Sequence, residues 1–371
     1  MYTTATSRLG KLAKKHERKL LAYDQETRSD LVEILNSLDG LPEDEQHIRG
    51  FEALKMYWGS EEDWIQNSLW IATKKRGAKV LFRYNAVQRK VNQIIDRIEM
   101  EDRPVRLIIL KARQMGFSTY IQARLFGATC LSSGVHAFTV GNKKSTTKNL
   151  MNMCRRYLGN LIFKPQMDEE AKTGLVFAHD SSLTIETARA GDETGRSAMA
   201  HMVHLSELAF YPDPEAALTA VLQIQGDGPG TWTIVESTAN GAGNFFHQLW
   251  LDAEEGRNDF IPLFFPWFED PEYRMEIPDG SRSEFEKSLN DEEKELLNRF
   301  ELDLEQLFWR RWAIRNKCRN SIEVFHQEYP STAEEAFLHS GAPVFDIKRI
   351  MELEKRAVPP ERFVLGLRQE E

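Results

Sequence analysis

The chain is poor in cysteine, has no long apolar run and carries no excess of positive charge. Cys130, Cys154 and Cys318 are the 3 cysteines in 371 residues; they lie far apart without metal-ligand spacing, which excludes a disulfide framework and a cysteine zinc site and fits reduced thiols in a cytoplasm. No stretch of about 18 apolar residues occurs, so no membrane-spanning helix is expected. Met1-Tyr2-Thr3-Thr4 does not open the apolar stretch of a secretory signal. A net charge of −9 excludes a surface that is basic all over, but leaves room for a local basic track where a nucleic acid could lie. What is present, 41% hydrophobic and 28% charged residues without repeats or low-complexity tracts, is the balance of a soluble globular protein. The length suggests two or three structural units rather than one core.

Three regions differ in pattern. Residues 1–77 read as a polar, helical subdomain in which Leu31, Ile34, Leu35 and Leu38 recur at helical spacing before Gly40 and Pro42, followed by Trp58, Trp64, Leu69, Trp70 and Ile71 as its apolar side. Residues 78–268 contain short, continuously apolar runs at Arg106–Leu110, Val135–Val140, Leu183–Thr187, Met202–Leu205 and Thr231–Val235, each followed by a turn and a helical stretch. Continuous apolarity suits strands covered on both faces, and strands alternating with helices predict a mainly parallel α/β sheet. Residues 269–345 turn helical and charged again, with Glu284–Phe300 and Asp303–Lys317 as the clearest helices; a tail, 346–371, ends the chain.

Three motifs carry candidate chemistry. The first, Lys111-Ala-Arg113-Gln114-Met-Gly116-Phe117-Ser118-Thr119, follows the strongest strand and precedes a helix. A phosphate-binding loop, G-x-x-x-x-G-K-[ST], cradles phosphates on backbone N–H groups, neutralises them with its Lys and holds Mg²⁺ through its hydroxyl. Gly116 and Ser118 fit; Lys111 stands at the first Gly and Phe117 at the Lys, so the loop's charge must come from Lys111 or Arg113 folding back over the phosphates. The plain alternative is a strand–helix turn. The second motif, Met202-Val-His-Leu-Ser206-Glu207, resembles a Walker B strand with Ser206 at the first acid's position, leaving metal binding to Ser118, the phosphates and water, and water activation to Glu207; the alternative is a helix cap. The third, Glu236-Ser237-Thr238-Ala-Asn240-Gly241-Ala-Gly243, puts Ser237, Thr238 and Asn240 at a strand tip where they can sense a γ-phosphate, beside glycines that permit movement; otherwise it is a plain turn. All three lie at carboxyl ends of apolar strands, the edge where open α/β sheets bind ligands.

These residues, in this order, resemble the large terminase subunits of tailed bacteriophages from about Phe82 to Phe345. Pro262–Phe268, Trp309-Arg-Arg-Trp312, Phe325–Pro330, Ala336-Phe337 and Ser340-Gly341 extend the likeness. The resemblance implies an ASCE-type P-loop NTPase sheet flanked by helical lid and linker regions, with ATP and Mg²⁺ as cofactors. Arg113-Gln114-Met115-Gly116 is similar to the family's deviant Walker A form, Ser237–Gly241 to its coupling motif, Gln88 to its adenine-reading glutamine, and Arg196 to an arginine finger acting across a subunit boundary, with Arg189 as competitor. It further implies a motor that drives double-stranded DNA into a procapsid in the host cytoplasm, as a ring, of five subunits by family habit, on a portal protein and with a small terminase subunit. The basic clusters Lys143/Lys144/Lys148, Arg155/Arg156 and Arg310/Arg311/Arg315 are DNA-contact candidates. The family's nuclease domain, RNase H-like with two metals, does not fit between Phe345 and Glu371, so the chain is expected to be a fragment or an engineered ATPase piece.

Two other readings remain open. A helicase-like ATPase would need a second α/β motor unit, which the helical stretch after Pro266 does not supply. A degenerate P-loop serving only as a DNA-binding or assembly module is favoured by Phe117 and Ser206, and opposed by Glu207 and Ser118.

Overall fold

The structure, a computed structural model, describes residues 9–73, 77–189 and 199–338. Four helices come first: α1 (Lys11–Leu20), α2 (Gln25–Ser37), α3 (Glu43–Trp58) and α4 (Glu61–Ser68). Asp24 caps α2 by accepting from the Thr27 N–H; Leu31, Leu35 and Leu38 are buried, and the chain turns at Gly40, whose φ of 90° suits only glycine well. Leu69–Ile71 departs from the helical expectation. Trp70–Ala72 is a strand, β1, paired antiparallel with β2 (Lys79–Leu81). Helix α5 (Ala86–Met100) then leads into the sheet.

The strands of the sheet are β3 (Val105–Lys111), β4 (His136–Gly141), β5 (Met167–Ala171), β6 (Gly174–Phe177), β7 (Ser181–Thr187), β8 (Met202–Ser206), β9 (Trp232–Ser237) and β10 (Ile261–Phe265). They form one eight-stranded sheet in the order β10-β3-β9-β8-β4-β7-β6-β5. From β10 to β7 the pairing is parallel; β6 and β5 add an antiparallel extension. Helices α6 (Phe117–Leu131), α7 (Lys144–Asn160), α8 (Pro214–Gln223) and α9 (Phe245–Glu254) make the connections and cover the sheet. Along β3, Leu107 and Ile109 enter one buried cluster while Ile108 and Leu110 enter another, so the strand is apolar at every position because both faces are covered.

The cluster containing Leu107 also takes in residues of α1–α5 and of the C-terminal helices, which makes the flanking helices part of the sheet's own core. Helix α6 is buried on nearly every side, with α4 against it: a Cβ on Gly127 would stand 2.8 Å from the Ile65 side chain. Beyond the sheet come α10 (Arg282–Lys287), α11 (Asp291–Arg299), α12 (Leu304–Asn316), α13 (Ile322–Glu328) and α14 (Ala333–Leu338). The expected single helix over Glu284–Phe300 is two, because Asn290 forms a capping box with Glu293 and starts a new helix. Among the described residues no helix is long and apolar enough to cross a membrane.

Candidate functional site

The three motifs meet. In the sheet order β9 lies between β3 and β8, so the loop after β3, the tip of β8 and the tip of β9 share one carboxyl edge. They line an open cleft of about 600 Å³ together with Asn142 and Lys143 just after β4, Thr146 of α7, and Gln327 and Glu328 of α13.

The loop wraps the start of α6. Gly116 caps that helix at φ 80°, a backbone angle that favours glycine, and a Cβ there would stand 2.8 Å from Gln88 Nε2 and push that side chain aside. Gln114 also adopts positive φ, 60°. The turn leaves the N–H groups at the start of α6 facing the cleft, a position that favours anions. Phe117 is 1% exposed and packs on Phe265 with ring centroids 4.7 Å apart. Its side chain belongs to the core, and only its backbone is available at the loop. Thr119 anchors the first turn, its carbonyl accepting from the Tyr157 hydroxyl at 3.0 Å.

The two loop cations part company. Lys111 is buried, and its Nζ lies 3.2 Å from Glu207 Oε1 and 3.0 Å from Glu236 Oε2. Burial works against its charge, but Glu207 and Glu236 outweigh it and hold the ammonium above its ordinary pKa. Arg113 turns outward to Glu328 at 2.5 Å, while its N–H donates to the Glu328 carbonyl and its own carbonyl accepts from the Tyr273 hydroxyl. The loop is thereby tied to the C-terminal helices. Gln88 supports it from the other side: Nε2 donates to the Gly116 carbonyl at 2.9 Å, and Oε1 accepts from Asn85 N–H in the capping box of α5.

Glu207 sits at φ 62°, ψ 46°, a left-handed conformation unfavourable for a side-chain-bearing residue and found preferentially where function requires it. Its N–H donates to the Glu236 carbonyl at 2.7 Å, which holds the turn. The carboxylate reaches the third motif: Ser237 Oγ stands 3.4 Å and the Thr238 N–H nitrogen 3.5 Å from Oε2, while Asn240 Nδ2 donates to the Ala209 carbonyl at 2.9 Å. The acid and the strand tip proposed to sense phosphate are therefore in direct contact.

Sequence reasoning passed over Glu236. It opens the third motif, in which Ser237, Thr238 and Asn240 are the residues singled out. In the structure it is fully buried and is the centre of the site. Oε1 accepts from Ser118 Oγ at 2.7 Å and from Ser206 Oγ at 2.9 Å, and His204 Nε2 approaches it at 3.4 Å. Gln122 Nε2 contacts His204 Nδ1 at 2.9 Å, and Cys154 Sγ donates to Gln122 Oε1; with the amide so oriented, Nδ1 accepts and the proton resides on Nε2, facing Glu236. Burial alone would raise the Glu236 pKa, but Lys111, His204 and Ser118 outweigh it and hold the carboxyl below the usual carboxylate range. The signal that could have found it was the absence of an acid at Ser206 together with an acid inside an apolar strand next to it.

Other expectations fall differently. Arg310 is 2% exposed, paired with Glu292 and stacked over Phe325; Arg311 holds Glu293 at 2.6 Å. Both brace α12 on its neighbours, which removes Arg310 from the DNA-contact candidates and leaves Arg311 engaged. Lys143, Lys144, Lys148 and Arg315 are exposed, with Lys143 on the rim of the cleft. Arg196 lies outside the described residues, as do Ser340, Gly341 and Phe345; Arg189 is exposed just beyond β7. Among the described residues no group of three or more His, Cys, Asp or Glu forms a metal cage. The donor set still suits Mg²⁺, which keeps several waters and takes few protein ligands beside phosphate oxygens.

No family model matches the sequence. The structure is similar to that of the large terminase of bacteriophage HK97, with a TM-score of 0.50 at 13% identity, over 74% of this chain and 54% of that one. The chain thus spans about half the length of the HK97 protein it matches. A partial likeness to the large terminase ATPase domain of Thermus phage P74-26 has a TM-score of 0.39 at 15% identity, over 58% of this chain and 92% of that one, and adds nothing to the fold assignment. At these identities the likeness is one of fold, shared with the matched half of the HK97 large terminase.

Proposed function

We propose that this chain, with the fold of a large terminase, binds Mg²⁺-ATP in the cleft above Lys111–Thr119 and hydrolyses it to drive double-stranded DNA into a procapsid. The observation that carries the reading is the convergence of a buried lysine, a hydroxyl and two acids beneath the N-terminus of α6, all on the carboxyl edge of the sheet.

The triphosphate rests on the N–H groups of the loop and of the first turn of α6, with Lys111 supplying the charge that Phe117 cannot. Ser118 Oγ would hold Mg²⁺, which would supply neutralisation of charge on the phosphate oxygens. Glu207 orients the attacking water. Without nucleotide it is paired to Lys111; phosphates compete for that ammonium, and its transfer to them leaves the Glu207 carboxylate free to accept from water. Ser237 and Thr238 register the change at Glu207, and Asn240 passes it to the turn after β8, which couples hydrolysis to movement. Gln88 reads adenine by exchanging its hold on the loop for the base. Arg196 of a neighbouring subunit stabilises charge on the transferring phosphoryl group, a contribution typically worth about 10³–10⁵ in rate.

The working assembly is a ring, of five subunits, docked on a portal protein and fed by a small terminase subunit in the host cytoplasm. Lys143, Lys144, Lys148 and Arg315 remain available for DNA phosphates.

Equilibrium binding of a fluorescent ATP analogue tests the site. Lys111→Ala abolishes or severely weakens binding, and Arg113→Ala, whose guanidinium is engaged by Glu328, weakens it less. Unchanged affinity in both variants sinks the assignment of the loop.

A further inference from the structure

In a Walker B strand the acid at the position of Ser206 accepts from the loop hydroxyl and supports the metal through water. Ser206 has no carboxylate. We propose that Glu236, one strand over, supplies it: the metal-supporting acid of this site is carried by β9 instead of β8. The proposal rests on reading the cleft as a Mg²⁺-nucleotide site.

The topology makes the move possible. β9 runs between β3 and β8, and Glu236 is in register with both Ile109 and Ser206. A carboxylate at that point reaches the hydroxyl at the start of α6, and it does: Ser118 Oγ donates to Oε1 at 2.7 Å. Ser206 Oγ donates to the same oxygen at 2.9 Å, so the residue at the ordinary acid's position holds the neighbouring strand's carboxylate in place.

The energetics argue against a merely structural role. Burying a carboxylate costs several kcal/mol before any pairing, and an apolar residue at the same place often gives equal or greater stability. Here an acidic side chain occupies a fully buried position. Its second oxygen, Oε2, finds no well-formed hydrogen bond and only the Lys111 ammonium at 3.0 Å. When phosphates draw Lys111 away, that oxygen is left buried with its negative charge, next to the hydroxyl proposed to hold the metal. A divalent cation restores the balance.

The test separates metal from nucleotide. Wild-type protein, Glu236→Gln, Glu236→Asp and the double variant Glu236→Gln/Ser206→Asp are titrated with the fluorescent ATP analogue in EDTA. The nucleotide complexes are then titrated with Mn²⁺, followed by its paramagnetic resonance signal. In EDTA, Glu236→Gln binds nucleotide at least as tightly as wild type, because a negative charge near the phosphates has gone. Its Mn²⁺ half-saturation rises about 10–100-fold, the usual effect of losing a group that supports a metal's ligands. Ser206→Asp in that background brings the value back toward wild type. An unchanged half-saturation in Glu236→Gln overturns the proposal, and so does a double variant no better than Glu236→Gln alone. Should Glu236→Gln fail to fold, Glu236→Asp keeps Lys111's counter-charge and withdraws the carboxylate from Ser118; its half-saturation rises, and an unaltered value overturns the proposal. Wild-type protein that binds no nucleotide at all overturns the nucleotide reading itself. Tight nucleotide binding with metal affinity indifferent to Glu236 overturns this inference alone.

Discussion

At the scale of the residue, the site depends on which charges are buried and what neutralises them. Lys111 stands between two acids, one of them fully buried, so removing it does two things. It takes the cation from the phosphates, and it leaves Glu236 uncompensated, a loss of about 3–5 kcal/mol for a broken buried pair. Lys111→Ala is thus expected to lower the melting temperature as well as nucleotide affinity. Phe117 is the control for that experiment. It occupies the position of the usual loop lysine but packs on Phe265, so Phe117→Ala should destabilise by about 3–5 kcal/mol while the folded fraction keeps its nucleotide affinity. Denaturant unfolding alongside the binding titration checks both. A Phe117→Ala protein of normal stability with lost affinity would show that the loop has been read the wrong way round.

At the scale of the element, most of what the sheet does was readable from local pattern. Five apolar runs became β3, β4, β7, β8 and β9 within a residue or two at each end; β3, β4, β8 and β9 are buried at nearly every position, while β7 alternates buried and half-buried residues. β10 is hard to read as a strand because it contains Pro262, which is tolerated since β10 is the edge and needs partners on one side only. β5 escaped because the polar run Asp168-Glu169-Glu170 gives an exposed edge no apolar signature, and β6 because its apolar run, Gly174–Phe177, is only four residues long. The loop, Ser118, Glu207 and the β9 tip were legible as motifs. Glu236 was not, because its role depends on which strands are neighbours, and sequence order does not state that β9 lies between β3 and β8. The N-terminal layer makes a separate prediction. His16 packs edge-on to Phe163, and burial first, with Lys19, Lys15 and His47 adding to it, lowers its pKa from 6.5 to about 4. A base whose pKa is depressed on folding is protonated first in the unfolded chain, so stability falls as pH drops from 6.5 toward about 4. His16→Gln should flatten that part of the stability–pH curve, followed by thermal melts between pH 7 and pH 4. An identical slope in the variant would remove His16 as its cause.

At the scale of the molecule, one sheet edge gathers the loop, both acids and the rim lysine, while the C-terminal helices close over it through Arg113–Glu328 and Tyr273. That tie joins the loop to the C-terminal helices and, on the proposed function, is the route by which nucleotide binding would reach them. If hydrolysis requires a neighbour, Arg196→Ala and Glu207→Gln proteins should each be slow alone and partly active when mixed, because a mixed ring contains some sites with both an intact finger and an intact acid. Full activity of Arg196→Ala by itself would shift the search to Arg189. The central claim, that this cleft hydrolyses ATP with Glu207 activating water, is tested most directly by phosphate release. Wild-type and Glu207→Gln proteins are assayed with Mg²⁺-ATP and double-stranded DNA, at concentrations high enough for subunits to meet. The account predicts Mg²⁺-dependent release by wild type and a kcat lower by about 10²–10⁴-fold in the variant, with nucleotide affinity retained. Wild-type protein that binds ATP and releases no phosphate, or a Glu207→Gln protein that turns over normally, would contradict it.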